Sequence, residues 1–277
     1  MRIAIQGEPG SFSHEAALGL IADAVIVPCA LSAEVFKELV EESVDAAVIP
    51  IENSLAGSVL EHFDLLLQHD VKVVSESLLR IRHNLIALPG TTIHDIDRVF
   101  SHPVALAQCR RFLAQHPKME SYAYYDTAGS VKQLVELRDK RAGAIASEAA
   151  AHYYGAEILC SGIEDNPENY TRFFLVRRAS EAVTNPDSNK ISIAFSVENR
   201  PGSLVEALNE LSALGTNLTK IESRPVHGKP WEYVFYVDCQ LASIKGGAQA
   251  IRALSPHCAM VKELGTYREA TKPQSID

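Results

Sequence analysis

Cysteine gives this chain no framework. The five cysteines, Cys29, Cys109, Cys160, Cys239 and Cys258, are odd in number and widely scattered, and no two form a CxxC pair. Such spacing supports neither a disulfide scaffold nor a zinc site and fits a reducing compartment. Positive charge is also scarce. With 26 Lys+Arg against 35 Asp+Glu, the formal net charge is -9. That excludes a non-specific nucleic-acid binder, which needs a basic surface to neutralise phosphates, although a local site can still oppose the global field and hold an anion. Long apolar runs are missing as well. The most apolar stretch, Leu18 to Leu31, is broken by Asp23 and Pro28, so no segment is expected to span a bilayer. The opening Met1-Arg2-Ile3-Ala4-Ile5 enters a strand pattern without a signal-peptide cleavage pattern, and a cytoplasmic protein is expected. There are no internal repeats, no low-complexity tract and no GxGxxG fingerprint.

What is there is an ordinary globular balance, 47% hydrophobic and 22% charged over 277 residues, enough for two domains. The first part alternates strand and helix. Ile3-Ala4-Ile5 reads as a strand and Phe12 to Ile21 as a helix, and Val35, Phe36, Leu39 and Val40 mark a second helix. Ala46-Ala47-Val48-Ile49 reads as a buried strand ending at Pro50, before a long helix carrying Val59, Leu60, Phe63, Leu66 and Leu67 on one face. Further strand-then-helix pairs begin at Val99-Phe100, Tyr122-Ala123-Tyr124 and Ala144-Ile145-Ala146. This alternation predicts an α/β fold with mainly parallel sheet.

Between Glu181 and Lys190 the pattern stops. Thr184-Asn185-Pro186-Asp187-Ser188-Asn189 consists of turn formers and reads as a linker. Beyond it the pattern is βαββαβ. A strand carries Ile191, Ile193, Phe195 and Val197, and an amphipathic helix carries Leu204, Ala207, Leu208, Leu211 and Leu214. Strands around Leu218–Ser223 and Trp231–Val237 face each other across a turn at His227-Gly228. A helix weakened by Gly246-Gly247 precedes a last strand near Met260–Leu264. That is a ferredoxin-like small domain.

Four segments share one arrangement: Gly7-Glu8-Pro9-Gly10-Ser11, Pro50-Ile51-Glu52-Asn53-Ser54, Ser101-His102-Pro103 and Asp126-Thr127-Ala128-Gly129-Ser130. Each reads as a junction from the C-terminal end of a strand into a helix N-terminus, the edge of an open α/β sheet where ligands bind. Helix N-termini offer unpaired N–H groups and partial positive charge to a carboxylate. Taken singly, each junction is better explained as plain helix capping, and only the set of them points to a ligand site. A fifth segment, Asn169 to Val176, reads as a strand, and its Arg172 needs a partner if buried, a carboxylate above all.

Together these motifs resemble one family. Asn53-Ser54 within PIENSLAGS, SHPVALAQC from Ser101 to Cys109, DTAGS from Asp126 to Ser130 and TRFF from Thr171 to Phe174 stand in the order and at the intervals of the prephenate dehydratase family. Pro201-Gly202-Ser203-Leu204 and Glu222-Ser223-Arg224-Pro225 resemble the ACT domain attached to that family. The resemblance covers residues 3 to 268. It departs at Val104, where the family commonly has glutamine, and at Ser203, where it usually has alanine.

The resemblance implies a catalytic domain over 1–180, two-lobed like periplasmic binding proteins, with lobe 1 at about 1–74 and 160–180, lobe 2 at about 75–159, and crossovers near Val74 and Leu159. An ACT regulatory domain over 190–268 follows. The implied reaction is the decarboxylating dehydration of prephenate to phenylpyruvate, in the monofunctional form and in phenylalanine biosynthesis. Aromatisation drives it, so neither a cofactor nor a metal is expected. By family resemblance Thr171 donates a proton or hydrogen bond to the departing hydroxyl, with Arg172 beside it as a polarising group unless it points to the other strand face. His102 is the rival acid and also reads as a capping residue. Asn53, Ser54, Ser101, Thr127, Ala128, Gly129 and Ser130 are the expected substrate-binding residues. Phe173 is an apolar wall or a core aromatic.

The ACT-like domain implies a homodimer, or a homotetramer, binding phenylalanine as inhibitor at a subunit interface. The implied effector residues are Gly202, Ser203 and Leu204 at a helix start, Asn217, and Glu222, Ser223, Arg224 and Pro225 on a neighbouring strand. Two rivals stand beside this reading: arogenate dehydratase, and a non-enzymatic amino-acid sensor, for which the TRFF segment has no use.

Overall fold

The computed structural model describes residues 1–226 and 231–271, and the turn expected at His227-Gly228 lies outside the described residues. The chain opens with β1 (Arg2–Gln6), α1 (Phe12–Leu20), β2 (Val25–Cys29), α2 (Ser32–Val40) and β3 (Ala46–Asn53). β1 pairs in parallel with both β2 and β3. Ile3, Ile5, Val48 and Ile49 from the strands and Val35, Phe36 and Leu39 from α2 are fully buried, which explains the near-continuous apolar strand runs of a covered parallel sheet. β3 runs through Pro50 rather than ending there. Its pairing with β1 stops at Val48, so the missing proline N–H interrupts no ladder on that side. The strand then turns back as a short hairpin into β4 (Gly57–Ser58), with Asn53 opposite Gly57. This junction is therefore a hairpin and not a direct entry into a helix.

After α3 (Leu60–Gln68) and β5 (Val71–Arg80) comes a second sheet made of β6 (Asn84–Ala87), β7 (Arg98–Ser101), β8 (Glu120–Ala123), β9 (Ala142–Ala146) and β10 (Glu157–Ser161). Its order is β10-β6-β9-β7-β8, parallel around β7 and antiparallel around β6. One face packs against α4 (Pro103–Gln108) and α5 (Arg110–Gln115) around Val99, Ala105 and Cys109. The other packs against α6 (Thr127–Leu137) and α7 (Glu148–Tyr154) around Val131, Ala144 and Ala150. β11 (Tyr170–Arg178) returns to the first sheet, whose order is β2-β1-β3-β11-β5. The two sheets are the lobes of an α/β fold, joined by residues 81–83 and 162–169 rather than at points near Val74 and Leu159, because β5 runs to Arg80 and β10 to Ser161. The joining segments hydrogen-bond to each other, Ile81 N–H to the Asn169 carbonyl at 2.8 Å and Ile163 N–H to the His83 carbonyl at 2.9 Å.

The chain divides into two compact units. The first holds residues 1–59 and 78–173, the second 60–77 and 174–271. In the second unit the βαββαβ pattern is realised as β12 (Lys190–Ser196), α8 (Ser203–Ala213), β13 (Asn217–Pro225), β14 (Tyr233–Gln240), α9 (Lys245–Leu254) and β15 (Met260–Tyr267). The sheet order is β13-β14-β12-β15, antiparallel throughout. The core is Ile191, Ile193, Phe195, Leu211, Val237 and Leu254. Gly247 lies in α9 because a Cβ there would come within 3.0 Å of Thr266 Oγ1. The glycine that weakens the helical pattern is what lets the helix approach the sheet.

This sheet sits against α3 and the first part of β5 in the same unit. Lys190 Nζ is 3.0 Å from Glu76 Oε1 and 3.4 Å from Glu269 Oε1, and Lys190 and Glu76 are both buried. Lys190→Met leaves a buried carboxylate without its main cation and is expected to cost about 3–5 kcal/mol in urea unfolding. Lys190→Met combined with Glu76→Leu should recover most of that loss.

Candidate active site

The first unit contains a cavity of about 890 Å³ at the C-terminal ends of β1, β3, β7 and β8. Three helices start at its wall, and each is capped by a side chain from a segment marked in the sequence. Ser11 Oγ accepts from His14 N–H at the start of α1, His102 Nδ1 from Val104 N–H at α4, and Asp126 Oδ1 from Gly129 N–H at α6. Capping and cavity lining are here properties of the same residues.

The floor is built by Asn53. Its Oδ1 accepts the N–H groups of Leu55 at 3.0 Å and Ala56 at 2.8 Å, which fixes the amide orientation. Its Nδ2 therefore faces β11, donating to Asn169 Oδ1 at 2.7 Å and Thr171 Oγ1 at 2.9 Å. Asn169 is in turn held by Gln108, whose Oε1 accepts from Asn169 Nδ2 at 3.0 Å and bonds His83 Nε2 at 2.9 Å. His83 is buried, with Phe12 edge-on to its ring. Because Thr171 Oγ1 accepts from Asn53, its own proton is free to donate into the cavity that it lines. His102 also lines the cavity. Its Nδ1 accepts the Val104 N–H at 3.2 Å.

Of the expected residues, the fold brings Asn53, His102, Thr127, Thr171 and Phe173 to the cavity wall. The others lie behind it. Arg172 alternates to the opposite face of β11, where its Nε is 2.9 Å from Glu52 Oε1. Its expected place beside the reacting atoms is replaced by an ion pair. Ser54 Oγ donates to the Glu168 carbonyl and accepts Tyr170 N–H, both at 3.0 Å, clasping β3 to β11. Ser101 Oγ donates to the Ile145 carbonyl at 2.5 Å, and Ser130 Oγ to the Thr127 carbonyl at 2.5 Å. Ala128 and Gly129 are buried in the first turn of α6, where a Cβ on Gly129 would meet the Tyr125 ring at 2.9 Å. Other wall residues were not expected: Glu8, Phe12, His83, Gln108, Tyr125 and Lys132. Gln108 lies inside the SHPVALAQC segment, and Glu8 inside the first junction. His83 has no periodic or motif signal.

In the second unit, Gly202 has φ +87° just before α8, and Ser203 Oγ donates to the carbonyls of Glu198 at 2.7 Å and Arg200 at 3.0 Å. Leu204 packs on the core of the antiparallel sheet. Asn217 Nδ2 donates to Gln240 Oε1 at 2.9 Å. Glu222, Ser223, Arg224 and Pro225 lie on β13, the edge strand, with Lys220 Nζ 3.9 Å from Glu222. Arg224 forms an ion pair with Asp64 of α3, Nε standing 3.3 Å from Oδ1.

Fold and site define a two-lobed α/β enzyme type with its cavity between the sheets, followed by a ferredoxin-like module. Comparison with known proteins makes this specific. The prephenate dehydratase family model matches residues 3–181 and the ACT domain model residues 191–254, and the chain belongs to the prephenate dehydratase family. It is 39% identical over 280 residues to "Arogenate dehydratase/prephenate dehydratase 2, chloroplastic" of Arabidopsis thaliana, covering 96% of this chain and 72% of that one. A solved prephenate dehydratase from Arthrobacter aurescens, in complex with L-Phe, superposes with a TM-score of 0.88 at 30% identity over 97% of this chain and 90% of that chain. A structure described as "GqqA- a novel type of quorum quenching acylases" superposes with a TM-score of 0.89 at 31% identity, covering 99% of both chains. Among the described residues no helix is long and apolar enough to cross a membrane, and no cluster of His, Cys, Asp and Glu is placed to hold a metal.

Burial depresses the His83 imidazole below its ordinary value. The unfolded chain takes up the proton at about pH 6.5 while the folded chain refuses it, so His83 stabilises the fold above that pH and the contribution is lost as pH falls below it. Wild type is expected to lose stability between pH 7 and 5.5 more steeply than His83→Gln, by up to about 1.4 kcal/mol per pH unit. Urea midpoints of both proteins across that range check this.

Proposed function

We propose that this cavity carries out the decarboxylating dehydration of its family with Thr171 as the residue that meets the departing hydroxyl. Asn53 donating to Thr171 Oγ1 is the observation that supports this most directly. An alcohol is a poor acid by itself, but a hydroxyl that already accepts a hydrogen bond is polarised to donate its own. As the ring C–O bond lengthens, negative charge gathers on the departing oxygen and the Thr171 hydrogen bond strengthens in step with it. Such an interaction lowers the barrier because it is stronger in the transition state than in the ground state. The bond to the ring carboxylate breaks in the same process. Its electron pair enters the ring, hydroxide leaves and takes a proton to become water, and CO2 departs. Phe173 offers that carboxylate an apolar wall, a poor seat for an anion, which favours its loss. The side-chain carboxylate is held at the opposite end by the N-terminus of α1, where Ser11, Phe12 and Ser13 line the cavity. His102, at the start of α4, orients and hydrogen-bonds the substrate, and Thr127 does the same from α6. Arg172, Ser54, Ser101 and Ser130 position these groups from behind.

Both prephenate and arogenate, its α-amino counterpart, fit this reaction. The module over 190–268 is read as a phenylalanine-responsive regulator, supported by the ACT match and by the L-Phe in the Arthrobacter aurescens relative. A homodimer or homotetramer in the cytoplasm is the matching state. Exposed Leu218 and Ile221 on the edge strand β13 offer an apolar face for pairing.

Thr171→Ala is expected to lower kcat by about 100-fold or more with little change in KM, since it removes an interaction made chiefly in the transition state. Thr171→Ser should retain part of the rate. Near-normal turnover by Thr171→Ala, followed as appearance of phenylpyruvate or phenylalanine, would transfer the role to His102 or water. Calorimetric titration of phenylalanine into the wild-type protein is expected to give saturable binding, accompanied by inhibition of turnover. A flat titration would remove the regulatory assignment.

A further inference from the structure

The charged side chains on the cavity wall do not suit a substrate that is only anionic. Glu8 already has its partners, with Tyr125 Oη donating to Oε1 at 2.8 Å and Lys132 Nζ 3.1–3.2 Å from the carboxylate oxygens. That leaves Asp126. Its Oδ1 is used as the cap of α6, accepting from Gly129 N–H at 2.7 Å. Its Oδ2 lies against Gly7, so closely that a Cβ on Gly7 would be 2.7 Å away, and Gly7 itself has φ +98°. Among the described residues no Lys or Arg pairs with Asp126. Glu8, Lys132 and Asp126 together give this wall a net charge of one minus.

Capping does not account for that charge. α1 and α7 of the same unit are capped by the neutral hydroxyls of Ser11 and Ser147, and serine or asparagine caps as well as aspartate. Burial and the neighbouring Glu8 carboxylate hold the Asp126 carboxyl above its ordinary range, against the lowering effect of the Gly129 and Ala128 N–H groups and of His102. A carboxylate in that position is stabilised by an arriving cation. The place from which a cation must arrive is defined by Gly7. The same missing Cβ that would touch Asp126 Oδ2 would stand 3.8 Å from the Ser11 Cβ, beside the N-terminus of α1. An anion seat and an unpaired carboxylate thus flank one glycine. That is the complement of an α-amino acid, with its carboxylate on the helix N-terminus and its ammonium on Asp126.

We infer that Asp126 is a specificity-determining residue that makes this enzyme prefer the α-amino counterpart of prephenate over the α-keto acid itself. The inference rests on the cavity being the active site of the dehydration. A keto group offers Asp126 only a carbonyl oxygen, which a carboxylate repels, whereas an ammonium donates to it, so the two substrates differ at this contact by a charge-assisted hydrogen bond.

The test is the ratio of kcat/KM for the amino substrate to that for the keto substrate, in wild type and in Asp126→Asn. The variant keeps the cap of α6 and removes only the charge. We expect a wild-type ratio above about ten, one charge-assisted contact being enough for that, and a fall of at least tenfold in the variant. A ratio that stays within twofold, or a wild type that prefers the keto acid, overturns the inference. Calorimetric binding of both compounds to Thr171→Ala reads the same preference without turnover. If neither compound is consumed by the wild type, the catalytic reading of the cavity fails, while the affinity ratio still decides the role of Asp126. Glu8→Gln serves as a second variant and should move the ratio less, because Glu8 is already paired with Lys132.

Discussion

The side-chain amide of Asn53 sits where the fold and the chemistry meet. One end is consumed by the hairpin between β3 and β4, through the N–H groups of Leu55 and Ala56. That leaves the other end no choice of orientation, and its Nδ2 donates to Asn169 Oδ1, the Tyr170 carbonyl and Thr171 Oγ1 where β11 begins. A hydroxyl that accepts from a fixed donor must offer its own proton elsewhere. The direction of Thr171 is therefore set by a turn in a different strand, and the turn by the need to satisfy backbone N–H groups near a cavity. Behind it, Gln108 and His83 hold Asn169 in the same way, so the network is closed by residues from both lobes. An alternative rotamer of Asn53 would break its bonds to the turn and to β11 together.

An acidic chain that handles anions has to solve its electrostatics locally. Here the helix starts bring backbone N–H groups to the described cavity wall, where no arginine lies, and Arg172 of the TRFF segment is neutralised by Glu52 on the far face. Backbone amides hold a carboxylate without placing a full positive charge near the carboxylate that must leave, so ground-state binding does not oppose decarboxylation. The positive charge that does reach the wall, Lys132, is cancelled by Glu8.

Much of this was legible in the sequence. Alternating strand and helix patterns point to the α/β lobes, and the βαββαβ order of the module matches the strands and helices observed. What was not legible follows from geometry that periodicity cannot carry. β2 contains Pro28 and is partly exposed, so it has no strand signature. The junction at Pro50 was read as a strand end, because proline normally interrupts a ladder, whereas β1 pairs only to Val48. The motif segments lie at or behind the cavity wall, but periodicity does not tell which of their side chains face inward. In Thr171-Arg172-Phe173 the strand alternation brings the first and third to the cavity and sends the second away, while Ser54, Ser101 and Ser130 spend their hydroxyls on carbonyls. His83 was invisible, since its partner Gln108 is 25 residues away in the chain.

Within the second unit the module is held to α3 and to the far end of β11 by its own side chains. Lys262 Nζ caps the C-terminal end of α3, accepted by the carbonyls of Leu66, Leu67 and His69 at 2.6–3.0 Å. Arg224, within the segment that resembles an effector motif, pairs with Asp64 of the same helix. Phe174 packs edge-on against Tyr267 at 5.6 Å between ring centres. The regulatory module thus grips both a helix that begins directly after the β4 hairpin and the strand β11, at a residue three positions from Thr171. β11 is a strand, with little freedom to absorb a displacement along its length. At its other end, inside the first unit, the strand is anchored by the Tyr170 N–H bond to Ser54.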